Sequence, residues 1–134
     1  VVYKQEDGQL YFLMIEDRYG KRTLAKGKQE QGETLEQTAL REVLEETGIK
    51  GQIVKPLQVI HYTYTHPQSA AKIEKEVHYY LIEATSGKVV AQLEEINEVH
   101  WRLPEAAWQD QQQKGYANND SVLQLALRHF GVEV

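Results

Sequence analysis

Residues 27–49 have the sequence GKQEQGETLEQTALREVLEETGI, which predicts a loop followed by an α-helix. Thr34 can cap the start of this helix, because Gln37 follows three residues later and each side chain can bond to the other's backbone amide. Gly48 marks the end, since glycine readily adopts the left-handed conformation that closes many helices. Apolar residues recur between these ends at helical spacing, so one side of the helix is expected to pack against the rest of the protein. These residues are Leu35, Ala39, Leu40, Val43 and Leu44.

Three glutamates of the same helix stand close together. Glu42, Glu45 and Glu46 are spaced i, i+3 and i+4, so their carboxylates are neighbours on one face. Like charges at this spacing cost a few tenths of a kcal/mol per pair, so a cation is needed nearby. Hard oxygen ligands clustered in this way suit Mg²⁺ or Mn²⁺. The alternative is an ordinary solvated acidic face with Glu–Lys pairs.

The spacing of the whole segment favours the metal site. From Gly27 to Ile49 the sequence follows the pattern G-x5-E-x7-R-E-V-x-E-E-x-G-I, which resembles the Nudix box at every defined position. A motif with this many fixed positions is far more specific than a short glycine-rich pattern. We therefore interpret the glutamate cluster as part of a catalytic motif.

This resemblance implies an enzyme that hydrolyses a nucleoside diphosphate linked to another group. Such enzymes use Mg²⁺ or Mn²⁺ and attack of water on phosphorus. By motif position, Glu45 and Glu46 together with Arg41 are implied as catalytic residues. The implied metal ligands are Glu42, Glu45, Glu46, the backbone carbonyl of Lys26, and Glu33 near a second metal. Glu33 and Arg41 are also implied as an ion pair that fixes the loop against the helix.

The general base need not lie within the motif. Related enzymes often carry a further glutamate on a later loop, and Glu95 stands at the corresponding place before Trp101. We predict Glu95 as the base, with Glu94 and Glu98 as alternatives and a solvated acidic loop as the simplest other interpretation. Histidines are weaker candidates, since the spacing of His61, His66 and His78 is not that of a metal site.

An aromatic and basic surface is predicted on the strands that follow the motif. Tyr62 and Tyr64 alternate onto one face of an extended segment, and Lys75 lies on its expected hairpin partner. Stacking on the rings and charge-assisted bonds to the lysine suit a base and a phosphate chain. Lys28 of the motif loop is assigned to the same substrate contacts. The alternative is that the tyrosines are packing residues and the lysines are solvated.

Residues outside the motif resemble dinucleoside polyphosphate hydrolases of the diadenosine tetraphosphate type. The resemblance lies in Lys26 and its neighbours, in Lys75 and in Trp101, and it departs at Ala25, where proline is common. We therefore predict a dinucleoside polyphosphate as substrate. Two other possibilities stay open: ordinary or oxidised nucleoside triphosphates, and ADP-ribose or nucleotide sugars. A Nudix-like ligand sensor without catalysis is disfavoured, because such proteins typically lose glutamates of the motif.

The remaining sequence predicts one α/β domain over residues 1–134. A tight turn at Glu6-Asp7-Gly8 separates two strands, and the second of these is apolar enough to be covered on both faces. Later helices are expected to begin at Pro104 and at a cap formed by Asp120 or Ser121. Strands and helices in this order predict an α/β (α+β) sandwich with a mixed sheet, and the resemblance implies the Nudix fold, in which the sheet lies between helices.

The composition limits the function classes. The chain has no cysteine and a net charge of -5 at pH 7, which exclude disulfides and argue against general nucleic-acid binding. No apolar run is long enough to cross a membrane and no signal peptide is visible, so we predict a cytoplasmic protein whose partner is a nucleotide-type small molecule. The sequence begins within a strand-like segment at Val1, so we expect that residues precede it. It carries no indication of oligomeric state.

Overall fold

The computed structural model describes residues 1–92 and 94–134. The six strands are β1 (Val2–Glu6), β2 (Gln9–Asp17), β3 (Arg22–Thr23), β4 (Ile49–Thr65), β5 (Lys72–Gly87) and β6 (Ile96–Arg102). The three helices are α1 (Leu35–Thr47), α2 (Pro104–Lys114) and α3 (Asp120–His129), and a 3₁₀ turn at Ala117–Asn119 precedes α3. No helix in this described part of the chain is both long and apolar enough to span a membrane.

The strands form one mixed sheet, as predicted. Strand β2 pairs antiparallel with β1, β3 and β6, and β4 pairs antiparallel with β5 along nearly the full length of both. The single parallel pairing between two strands of the described chain joins β1 to β5, where Val2 and Tyr3 stand opposite Ile82 and Glu83. This pairing is short, so the edge of β5 opposite β4 is paired only near one end and, among the described residues, is free along the rest.

Helices cover both faces of the sheet. Side chains of a strand point alternately to opposite faces, and in β2 this divides the core in two. Phe12 and Met14 pack with α2 and α3, whereas Leu13 and Ile15 pack on the other face with Val43 of α1. The predicted α/β/α sandwich is therefore confirmed, and β2 is the strand buried on both faces.

Helix α1 begins and ends where the sequence predicts. Thr34 and Gln37 form the reciprocal cap, with bonds of 3.1 and 2.8 Å, and Gly48 has φ of 78°. The predicted apolar side is wrong at Leu44, which is 40% exposed. Glu46 is buried instead, because its carboxylate turns toward the backbone of the loop that precedes the helix.

Helix α3 packs on the core but does not have its predicted cap. Leu123, Ala126 and Leu127 are fully buried on its core side. Neither Asp120 nor Ser121 caps the helix, because both belong to its first turn. The capping position belongs to the residue before them, at the end of the 3₁₀ turn, and its side chain makes no cap bond.

The hairpin of β4 and β5 is longer than the rest of the sheet. Its outer part, residues 61–76, carries mostly exposed side chains beyond the pairing of Ile60 with Val77. On the free edge of β5, residues 75–80 line a cavity together with residues 24–29 of the motif loop. The fold thus places the hairpin beside the start of α1.

Candidate active site

Arg41 joins the motif loop to α1. Its Nε and Nη2 atoms donate to the two carboxylate oxygens of Glu33 at 2.7 and 3.1 Å, and Nη2 also donates to the carbonyl of Lys28 at 2.8 Å. Glu33 accepts further bonds from the Thr38 hydroxyl and the Glu30 amide. The bonds from Arg41, followed by that from the Glu30 amide, lower the pKa of Glu33 to about 2. The ion pair suggested by the motif is therefore present and holds the loop in place.

The third nitrogen of the same guanidinium faces the glutamate cluster. Nη1 of Arg41 donates to Glu42 at 2.7 Å and to Glu45 at 3.1 Å, and it lies 3.5 Å from Glu30. The bond to Glu33 and then those to Glu42 raise the pKa of Arg41 further above its already high value. One cation thus balances part of the negative charge that the sequence places on this face.

Glu46 is the most buried carboxylate of the cluster. It is 7% exposed and accepts one bond from the backbone N–H of Lys26 at 3.1 Å. Burial raises its pKa to about 8, and the charges of Glu42 and Glu95 add to the shift. Burial likewise raises the pKa of Glu42, whose carboxylate lies against Gly27 so closely that a side chain there would overlap it. Burial therefore disfavours the charged form of two carboxylates of this site.

The loop before β6 brings Glu95 to the cluster. The loop rests on the end of α1 through the amide of Gln92, 3.4 Å from the carbonyl of Glu46, and the Glu95 carbonyl accepts from the Arg18 amide at 2.9 Å. The carboxylate of Glu95 is near enough to Glu42 and Glu46 to raise the pKa of both.

The two alternatives to Glu95 lie differently. Glu98 is within hydrogen-bond distance of His100, at 3.0 Å, and 4.0 Å from Arg22. These partners lower its pKa, with the bond from His100 as the largest cause. Glu94 is exposed in the turn. Among the three candidates in the described chain, Glu95 is the one whose charge contributes to the raised pKa values of Glu42 and Glu46.

Three lysines meet at the cavity between the motif loop and β5. Burial is the largest cause of the lowered pKa of Lys75, and the positive charges of Lys28 and Lys26 lower it further. Lys26 Nζ lies 5.4 Å from the ring centre of Tyr62, and Lys75 Nζ lies 5.9 Å from that of Tyr64, both within cation–π range. The structure therefore brings Lys28, Tyr62 and Lys75 together at the cavity with the side chain of Lys26, whereas Tyr64 contacts Lys75 from outside it.

The cavity has a volume of about 570 Å³. Lys28, Tyr62 and Lys75 line its mouth, while its inner wall is apolar and lies between α1 and the sheet. Tyr64 lies outside this lining and is 37% exposed on the hairpin.

Two further tyrosines flank the site and were not predicted. The ring centre of Tyr116 lies 5.9 Å from Lys26 Nζ, and its hydroxyl donates to Asp17. Burial and the bond to Asp17 raise the pKa of Tyr116 to about 12, and Tyr19 is near enough to contribute. Tyr19 itself is 71% exposed in the turn after β2. For Tyr19, the only indication in the sequence was its position in a turn.

The donor chemistry of the cluster fits a hard divalent cation. Glu42, Glu45 and Glu46 offer carboxylate oxygens on one turn of helix, and two of them have pKa values raised by burial. Within residues 1–92 and 94–134, no three acidic or histidine side chains already converge as a ready metal site. Arg41 donates to Glu42 and Glu45, so a metal ion would compete with Arg41 for these two carboxylates.

Comparison with known proteins agrees with the motif. The profile of the NUDIX domain matches residues 1–126. The chain is 42% identical over 79 residues to the putative mutator protein MutT4 of Mycobacterium tuberculosis, covering 59% of this chain and 31% of that protein. It is 36% identical over 102 residues to the NAD-capped RNA hydrolase NudC of Escherichia coli, covering 75% of this chain and 36% of that protein. The chain thus spans about a third of the length of the curated relatives it matches.

Solved structures give the same result. A binary complex of the Ap4A hydrolase of Caenorhabditis elegans superimposes with a TM-score of 0.65 at 25% sequence identity, over 97% of this chain and 93% of that one. The profile match extends over nearly the whole sequence and includes every element from β1 to most of α3. The chain belongs to the NUDIX domain family.

Proposed function

We propose that this chain is a divalent-metal-dependent hydrolase that cleaves a pyrophosphate bond in a dinucleoside polyphosphate. The observation that carries the proposal is the meeting of Lys26, Lys28 and Lys75 beside the motif glutamates. In a chain of net charge -5, three lysines in one place need a strongly anionic ligand. A chain of several phosphates is such a ligand, since it reaches from the carboxylate cluster to the hairpin.

The motif glutamates would hold the metal. Glu42, Glu45 and Glu46, with the carbonyl of Lys26, are the proposed ligands of Mg²⁺ or Mn²⁺. When bound, the cation supplies charge neutralisation at the phosphoryl oxygens and a more acidic water. Glu33 was also predicted as a ligand, but both of its oxygens are engaged, so we assign it the anchoring of Arg41.

Glu95 is the proposed general base. Its carboxylate faces Glu42 and Glu46 from the loop before β6, where it can accept the proton of an attacking water. Arg41 contributes positive charge beside Glu42 and Glu45. The reaction then needs no covalent intermediate on the protein.

Aromatic rings from separate segments lie around the lysine group. Tyr62 of the hairpin and Tyr116 both lie near Lys26 Nζ, Tyr64 lies near Lys75, and Tyr19 is near Tyr116. Rings from the hairpin and from the Tyr116 segment can each contact a base, so the arrangement suits a ligand with two nucleosides joined by a phosphate chain. The similarity to the C. elegans Ap4A hydrolase supports this substrate class.

The second candidate is a substrate with a short diphosphate bridge, such as ADP-ribose, a nucleotide sugar or a nicotinamide dinucleotide. It is favoured by the higher identity to the NAD-capped RNA hydrolase. Such a substrate carries fewer phosphates than three lysines can bind. Its short phosphate bridge would therefore leave Lys75 without a phosphate to bind.

A substrate panel with a lysine variant separates the candidates. Diadenosine tetraphosphate, ADP-ribose, NADH and 8-oxo-dGTP are incubated with the protein and Mg²⁺, and the nucleotide products are quantified. We expect diadenosine tetraphosphate to be preferred and Lys75→Ala to lower kcat/KM for it about tenfold, with a smaller effect on ADP-ribose. Lys55→Ala is the matched control, because Lys55 is exposed on β4 and is not part of the cavity lining in the described chain.

The contrary results are distinct. Preference for ADP-ribose or NADH, or equal losses on long and short substrates, would promote the second candidate. Binding of these nucleotides without turnover under any divalent metal would instead identify a ligand sensor.

A further inference from the structure

Asp17, at the end of β2, connects two segments that are distant in sequence. Its Oδ1 atom accepts the backbone amides of Tyr19 and Lys21 at 2.9 and 3.0 Å, which closes the turn between β2 and β3. Its Oδ2 atom accepts the hydroxyl of Tyr116, 99 positions later. The Asp17 carboxylate therefore holds both the backbone of the turn that contains Tyr19 and the ring of Tyr116.

The backbone of Tyr116 is held independently of Asp17. The side-chain amide of Gln111 donates to the Tyr116 carbonyl at 2.7 Å, and the preceding Gly115 pairs with Arg22. A Cβ atom at Gly115 would meet the Gln111 side chain at 2.5 Å, so the close approach depends on glycine. With the main chain fixed in this way, the bond to Asp17 sets the direction in which the ring points.

The turn that Asp17 closes is also tied to the loop of the proposed base. The amide of Arg18 donates to the Glu95 carbonyl at 2.9 Å, and the side chain of Asn97 donates to the Asp17 carbonyl at 2.9 Å. Asp17 thus lies where the turn, the β6 loop and the Tyr116 segment meet. Its side-chain oxygens already have partners, so it is suited to holding other groups rather than to chemistry.

We propose that Asp17 is a positioning residue, which holds the Tyr116 ring against Lys26 as a contact surface for a nucleoside of the substrate. This inference rests on the proposed function in that the substrate is a nucleotide. Tyr116 lies beside Lys26, and the Lys26 backbone amide donates to Glu46. The Tyr116 ring therefore lies at the edge of the proposed reaction site. A hydrogen bond from a tyrosine to a charged carboxylate is strong enough to select one ring position.

The test compares two variants that each remove one side of this bond. Tyr116→Phe deletes the hydroxyl and keeps the ring, and Asp17→Asn removes the charge while keeping an oxygen for the turn amides. Tyr3→Phe is the matched control, because Tyr3 donates to Glu83 at 3.1 Å in a similar bond, and its ring is not among those within cation–π range of Lys26 in the described chain. Each protein is assayed for AMP binding by calorimetry and for KM and kcat with its best nucleotide substrate.

We expect Tyr116→Phe and Asp17→Asn each to weaken AMP binding and raise KM about tenfold, with kcat within twofold of wild type. The double variant should be no weaker than either single variant, because both changes break the same bond. Tyr3→Phe should bind AMP as the wild type does. Melting temperatures within a few degrees of wild type would show that the fold is retained.

Three results would overturn the proposal: no AMP binding by the wild type, unchanged binding in both variants, or losses that add in the double variant. Failure of the proposed function gives a different pattern. The wild type would then turn over no dinucleoside polyphosphate, while the coupled tenfold loss of AMP binding would still support the role of Asp17.

Discussion

Arg41 and Glu33 face each other through two nearly parallel hydrogen bonds, from Nε at 2.7 Å and from Nη2 at 3.1 Å. A planar guanidinium held in this way has no freedom to rotate, so its remaining nitrogen must point at Glu42 and Glu45. The ion pair therefore determines where the charge of Arg41 acts. A lysine at the same position could not provide both contacts.

The first prediction concerns the acid stability that Glu33 provides. Its pKa is held at about 2 in the folded protein, below the value of about 4.3 for a free glutamate. The stabilisation is present above the unfolded pKa and is lost as the pH falls toward 2. We expect urea denaturation to show wild type more stable than Glu33→Gln at pH 6, with the difference shrinking as the pH falls to 2. A gap that does not change with pH would contradict this origin, and Glu30→Gln, an exposed neighbour of Arg41, is the control.

The second prediction concerns Glu46, whose pKa is raised to about 8. Between pH 4.5 and 8 the unfolded chain has lost this proton while the folded protein keeps it, so stability falls as the pH rises through this range. In the absence of divalent metal, Glu46→Gln should be more stable than wild type at pH 8, by a few kcal/mol, and equal to it near pH 4. The same variant should have no measurable turnover. If the variant is less stable than wild type at pH 8, the charged Glu46 carboxylate is already stabilised by its neighbours in the folded protein.

The third prediction concerns metal binding. Because the ion would bind only the assembled cluster, millimolar Mg²⁺ or Mn²⁺ should raise the wild-type melting temperature by several degrees. Glu45→Gln should largely lose this response. Glu98→Gln should keep it, since Glu98 lies with His100 and Arg22. If neither ion changes the wild-type melting temperature, the cluster is a solvated acidic face, which is the alternative interpretation of the sequence.

The fourth prediction concerns the general base. Glu95→Gln should lower kcat by about 10²- to 10⁴-fold and change KM little, because a base acts in the transition state. Steady-state kinetics on the preferred substrate measures both constants. Glu94→Gln and Glu98→Gln are the controls, and a full loss in either one would move the assignment to that residue.

Local signals in the sequence were sufficient for the elements that carry the motif. Thr34, Gln37 and Gly48 act within a few residues of one another, so their pattern fixes both ends of α1. The apolar side was harder to predict, since spacing alone cannot say which edge of a helix a neighbouring loop will cover. The loop covers Glu46, and Leu44 is left exposed as a result.

Contacts between distant segments could not be predicted from local patterns. Tyr116 meets Asp17 across 99 positions, and the pairing depends on how α2 packs against the sheet. The side chain of Lys26 was missed for the same reason, because its neighbours Tyr62 and Tyr116 come from two other segments. Proline at the start of α2 was a reliable signal, whereas the cap of α3 was not, because a 3₁₀ turn adds residues before the helix.

The short pairing of β1 with β5 has a consequence for how substrate preference can change. Val2 and Tyr3 cover β5 only at Ile82 and Glu83, and the cavity is closed farther along by a strand that belongs to the projecting hairpin. The hairpin can therefore gain or lose residues near Lys75 without disturbing the core or α1. Selection on substrate and selection on catalysis would act on separate parts of the chain, so new specificities could evolve while the glutamate motif stays constant.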